Sequence, residues 1–126
     1  MTELFIHTVG LQFDPQSPSK GKCSLTIEPK HLNGNGVVHG GALFTLADTG
    51  MGYALYSSLD ADEMCATIEI KINYFRAVTQ GKVVCTSTVL HRGKSTANLD
   101  AVLEVDGTLV AKANGTFAIF ARKNKG

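Results

Sequence analysis

Apart from the titratable His39, the 21 residues from His39 to Leu59 carry a single charged side chain, Asp48. So long an apolar stretch has to be shielded from water, and that requirement constrains the fold more than anything else in the sequence. Leu43, Leu46, Ala47, Met51, Ala54 and Leu55 recur at helical spacing, whereas Phe44 and Tyr53 fall outside that stripe. A helix beginning near His39 therefore has little face left for water, and the pattern predicts that other elements wrap it. Asp48 is then a carboxylate whose charged form desolvation disfavours. Stability alone gives no reason to keep it there. A membrane span fits poorly, because the run contains Thr45, Asp48, Thr49, Ser57, Ser58 and four glycines and has no basic flanks.

The wrapping material follows in the sequence. Cys65 to Tyr74 alternates Thr67, Glu69, Lys71 and Asn73 with Ile68, Ile70, Ile72 and Tyr74, which predicts a strand. Three more strands are predicted over Lys82–His91, Thr96–Val105 and Thr108–Phe120. Gln80-Gly81, Arg92-Gly93-Lys94 and Asp106-Gly107 read as the tight turns joining antiparallel neighbours. Ahead of the helix, Lys22 to Lys30 sets Cys23, Leu25 and Ile27 against Ser24, Thr26 and Glu28, a half-buried strand. Phe5 to Phe13 reads as a weaker strand, divided from it by the polar turn Pro15 to Lys20. The two Asn-Gly pairs in His31 to Val38 predict a loop before the helix. Two strands, one long helix and a four-stranded meander make an α+β domain in which an antiparallel sheet curls around a central helix, the hotdog architecture.

With 126 residues the chain suits one domain, 1–126, burying about two thirds of its unfolded surface. Twelve Lys and Arg against eleven Asp and Glu give a net charge of +1, so nothing points to nucleic acid as a partner. Met1 to Asp14 has no basic segment followed by an apolar run and a small-residue cleavage site, so no signal peptide is expected and the cytoplasm is the default location. Cys23, Cys65 and Cys85 are odd in number and widely spaced in strand-like runs, which predicts reduced, buried thiols rather than a disulfide framework or a metal site.

The segment HLNGNGVVHGGALFTLADTG resembles the signature of hotdog acyl-CoA thioesterases of the phenylacetate-degradation (PaaI-like) type, and the resemblance continues through TIEIKINYFRAV and the RGKST turn. It implies an active site built from Asn33, His39-Gly40-Gly41 and Asp48. It also implies that Asn33, His39 and Gly40 come from one chain and Asp48 and Thr67 from its partner, in a homo-oligomer that is a dimer of dimers. Thr67 would help place the attacking water, Asn33 would orient that water or the carboxylate, and His39 would brace the loop and place the substrate. The Arg92-Gly93-Lys94-Ser95 turn, with Arg76 and Lys82, would meet the phosphates of CoA, a role to which cations and a hydroxyl are suited. By composition alone such a turn is a solvated hairpin tip. No metal or prosthetic group is implied, CoA being part of the substrate.

The chemistry of these residue types stands independently of the resemblance. Gly40 and Gly41 fall at the helix start, where backbone N–H groups lack intrahelical partners and the helix dipole favours negative charge. Preorganised donors of this kind are worth about 3–4 kcal/mol to an acyl-transfer transition state. The oxyanion-donor role goes to Gly40 by resemblance. Asp48 would activate water as a base or attack the thioester carbonyl itself, and the sequence does not separate the two. Eight residues separate Gly40 from Asp48, about 12 Å along one helix, so both can act on one carbonyl only if Asp48 belongs to a neighbouring subunit with an antiparallel helix. A hotdog hydratase or dehydratase would place its His and acid in other motifs, and a non-catalytic acyl-CoA or lipid-binding module would not need the intact Asn33, Gly40 and Asp48 set. Met51, Tyr53, Ala54 and Phe75 are candidate pocket-lining residues; acyl specificity is not encoded legibly.

Overall fold

The computed structural model describes residues 2–123. Helix α1 (Phe5–Val9) and strand β1 (Leu11–Phe13) lead into β2 (Lys20–Thr26). A 3-10 turn (Pro29–His31) and a loop precede the long helix α2 (Gly40–Tyr56), followed by β3 (Glu63–Tyr74), β4 (Lys82–Arg92), β5 (Thr96–Val105) and β6 (Thr108–Ala121). The strands form one antiparallel sheet in the order β1-β2-β4-β5-β6-β3. α2 packs across its inner face against β2, β3, β4 and β5, giving the expected hotdog fold.

Leu43, Leu46, Ala47, Met51, Ala54 and Leu55 of α2 are buried against Cys23, Leu25, Val83, Cys85, Leu99, Leu103, Ala113 and Phe117 of the sheet. The helix sits close to the strands at Gly50. A Cβ there would lie 2.9 Å from Cys85 Sγ, 3.0 Å from Cys23 Sγ and 3.1 Å from Ser87 Oγ. Ser57 and Ser58 end the helix by donating their hydroxyls to the carbonyls of Ala54 and Leu55. All three cysteines are free thiols; Cys23 and Cys85, directly opposed across β2 and β4, are buried as expected, whereas Cys65, on the edge strand β3, is only half-buried.

Three expectations are corrected. Phe5 to Phe13 is a helix and then a short strand: Ile6 and Val9, three apart, both pack on the core, and Gly10 at φ 97° ends the helix in the left-handed region before Leu11 enters the sheet. The second strand stops at Thr26, not Lys30, because Pro29 opens a 3-10 turn; Ser24, assigned to the wet face, is buried opposite Val84. The meander holds for β4, β5 and β6, and Asp106-Gly107, both with positive φ, closes the β5–β6 hairpin. The Gln80-Gly81 turn joins no hairpin, however. β3 pairs with β6 at the far edge, and its connection to β4 crosses the end of the sheet, pinned where Val38 N–H donates to Val78 and Ile27 N–H to Gly81.

Replacing a helical glycine by alanine normally gains about 0.5–1 kcal/mol, whereas overpacking a filled core costs about 1–3 kcal/mol. Buried strand atoms face Gly50, so overpacking should win. Gly50→Ala is expected to lower the unfolding free energy by about 1–2 kcal/mol, with Cys85→Ala in the same chain coupling favourably to it in denaturant titrations. Additive losses would mean that the helix does not seat on those sulfurs.

Candidate active site

The loop before α2 is shaped by Asn33. Its Oδ1 accepts the N–H groups of Asn35 at 2.8 Å and Val37 at 3.4 Å, and its own N–H donates to Val37 O, closing a turn through Gly36 at φ 76°. The side-chain amide nitrogen of Asn33 makes no hydrogen bond among the described residues. His39 caps the helix: its Nδ1 accepts the Gly41 N–H at 2.8 Å, which requires that nitrogen to carry no proton. The Ala42 N–H goes to the His39 carbonyl. Of the first three helical amides, only that of Gly40 is left without a partner among the described residues.

Gly40 also lines a cleft of about 290 Å³ together with Val38, Leu43, Tyr74, Phe75 and Arg76. The Tyr74 hydroxyl donates to the Gly40 carbonyl at 2.8 Å. Tyr74 counted in the sequence only as one more apolar step of a strand, so this contact had no signal there. Buried His31 was also overlooked. Its Nδ1 accepts the Glu28 N–H at 2.9 Å and its Nε2 lies 2.7 Å from Val9 O, tying α1 to the loop that enters α2.

Asp48 lies farther along the same helix, and Thr67 Oγ1 donates to its Oδ1 at 2.7 Å. The strand is irregular at this point. Thr67 pairs with Phe117 and Glu69 with Thr116, so Ile68 is an extra, unpaired residue, a β-bulge. Before the bulge Cys65 and Thr67 face the helix; after it Ile70 and Ile72 do. Odd-numbered positions thus give way to even ones, which lets Thr67 reach Asp48 without turning the isoleucines outward. Ile68 itself is 58% exposed, contrary to the simple alternation.

Asp48 is half-buried rather than dry, because α2 leaves the flank bearing Asp48, Thr49 and Gly52 partly open. Burial, and then the Asp48 charge, push the neighbouring Cys65 thiol above its ordinary range, which disfavours a thiolate nucleophile here.

The residues assigned to CoA divide between the two ends of the helix. Arg76 and Lys82 lie at the Gly40 end, both exposed. The Arg92–Ser95 turn lies at the other end, next to the start of β3, about 33 Å away along the ten steps of β4 from Lys82. There Arg92 is ion-paired with Glu63 and donates to Gly93 O, leaving Lys94 as the exposed cation of the turn. No group of three or more His, Cys, Asp or Glu side chains that could hold a metal occurs among the described residues. Nor is any helix among them long and apolar enough to cross a membrane.

A helix with a paired diglycine start and a mid-helix carboxylate, enclosed by a curled antiparallel sheet, places the chain in the hotdog class. It belongs to the thioesterase superfamily, whose sequence model matches residues 35–112. A Pseudomonas aeruginosa protein provisionally named an esterase is 34% identical over 95 residues, spanning 75% of this chain and 71% of that one. A Deinococcus radiodurans protein of the same provisional name is 30% identical over 115 residues, 89% of this chain and 76% of that one. Among solved structures, a conserved protein of Pseudomonas aeruginosa is 39% identical with a TM-score of 0.90, covering 95% of this chain and 96% of its own. A variant of the phenylacetic acid degradation protein PaaI of Thermus thermophilus, 23% identical, shares the fold at a TM-score of 0.84 over 90% of this chain and 96% of that one.

A Cβ at Gly41 would lie 2.9 Å from His39 Nδ1. Gly41→Ala is therefore expected to expel the His39 ring and remove the helix cap, costing about 1 kcal/mol in a thermal or denaturant titration. An unchanged midpoint would mean that the cap contributes nothing.

Proposed function

We propose that the chain is an acyl-CoA thioesterase that works as a two-fold dimer, itself paired into a dimer of dimers, releasing a carboxylate and free CoA. Asn33, His39 and Gly40 of one protomer face Asp48 and Thr67 of its partner. The Gly40 N–H holds the thioester oxygen as it becomes an oxyanion. Asp48, aligned by the Thr67 hydroxyl, takes a proton from water as that water attacks the carbonyl carbon, or attacks the carbon itself. The free amide of Asn33 donates to the water or carboxylate, and no metal or prosthetic group takes part.

One observation carries the proposal: the two halves of the chemistry are each well formed but sit on one helix, eight residues and about 12 Å apart, so one chain cannot bring both to a carbonyl. The edge of β3 favours the pairing that would unite them. It is 12 residues long, unpaired on one side among the described residues, and bears Met64, Ile68 and Tyr74 exposed. Such an edge invites another strand. A second copy added there antiparallel would align the α2 helices antiparallel and produce two identical sites. The partner's Lys94 turn would then lie toward the Gly40 end, beside Arg76, as a contact for CoA phosphates. Hydrolase names among the relatives agree with this activity.

Free-thiol release from a panel of acyl-CoAs tests the activity. Asp48→Asn should retain the fold and lose roughly 100-fold or more in kcat, the scale of a general base; no turnover of any thioester by the wild type would favour an acyl-CoA-binding module instead. Sharing of the site is tested by mixing. Asp48→Asn chains and Asn33→Ala/His39→Ala chains, each impaired, should on co-expression recover about a quarter of wild-type activity, because half of randomly formed dimers contain one intact site of two. No recovery in verified hetero-oligomers would place both halves in one chain.

A further inference from the structure

We propose that Tyr74 is a positioning residue: with His39 it clamps the Gly40–Gly41 peptide, the unit next to the one that carries the Gly40 N–H, and so restrains the Gly40 Cα from which that donor projects. This rests on the thioesterase function above. The peptide is held at both ends, its N–H donating to His39 Nδ1 at 2.8 Å and its C=O accepting from the Tyr74 hydroxyl at 2.8 Å. Two successive glycines are the least constrained pair a helix start can contain, and an oxyanion donor works only if it is already oriented when charge develops. The ring supplies the missing restraint. A Cβ on Gly40 would lie 3.3 Å from Tyr74 Cζ and Oη, so the phenol fills the space that a side chain would occupy.

Its backbone is anchored, since Tyr74 ends β3 opposite Ala111 and the next residue donates its N–H to Val110 O at 2.8 Å. Partial loss of hydration where the phenol meets Gly40 raises it above its ordinary value of 10, and it is a protonated donor through the neutral range. The hydroxyl is engaged with backbone, which assigns it to orientation rather than proton transfer. With the Gly41 and Ala42 amides also occupied, the clamp leaves one donor of the first turn for substrate.

Tyr74→Phe deletes only the hydroxyl. The expected result is a fall in kcat of roughly 5- to 20-fold, with KM within about twofold, since orientation of the donor matters in the transition state and not in binding. The thermal midpoint should move by less than about 5 °C. The 15N heteronuclear NOE of the Gly40 and Gly41 amides should drop from helix-like values toward those of a loop. An unchanged kcat, or a KM effect without a kcat effect, overturns the proposal. Tyr74→Leu removes the ring as well and should be slower still; a Leu variant as fast as wild type overturns it even if the Phe variant fails to fold. If the wild type releases no thiol, the thioesterase function falls on that measurement alone, and the amide NOE still decides whether Tyr74 orders the diglycine.

Discussion

The close seating of α2 on the sheet governs everything else in the molecule. A backbone that approaches two cysteines and a serine at Gly50 leaves no room for the helix to roll, so the residues on its flanks keep fixed bearings. Gly40 and Tyr74 meet at one end of the β3 side, and Asp48 and Thr67 meet farther along the same side. A helix held only by long, adaptable side chains would leave both contacts free to drift.

The site is a set of ordinary structural devices placed where chemistry can use them. A helix cap, an Asn turn and a strand-end tyrosine each satisfy backbone groups, and together they leave one amide and one side-chain donor without partners among the described residues. The carboxylate is treated similarly: Thr67 occupies one of its oxygens and the half-open flank leaves the remainder accessible.

Much of this was legible in the sequence because it follows from periodicity. The helix stripe, the β4 to β6 meander and the Asp106-Gly107 hairpin follow from patterns of 3.6 and 2 and from turn chemistry. The strand order at the edge was not legible, since pairing of β3 with β6 depends on where a connection crosses the sheet, and Gln80-Gly81 looks locally like any hairpin turn. Phe5 to Val9 misled because five residues are too few to tell a helix from a strand by period. Asp48 could be singled out by its isolation, whereas its half-open setting depends on how far the sheet wraps. Tyr74 and His31 gave no signal, because a tyrosine in a strand and a histidine before a loop acquire their roles only from the carbonyls they meet in space.

The extra residue at Ile68 divides β3 into two stretches with opposite facing rules. Cys65 and Thr67 address the carboxylate while Ile70 and Ile72 serve the hydrophobic interior, and a change on one side of the kink need not be matched on the other. A lineage retaining this irregularity can therefore respecify what sits beside the acid without reopening the packing, whereas loss of that one amino acid would exchange the inside and outside of half a strand in a single step.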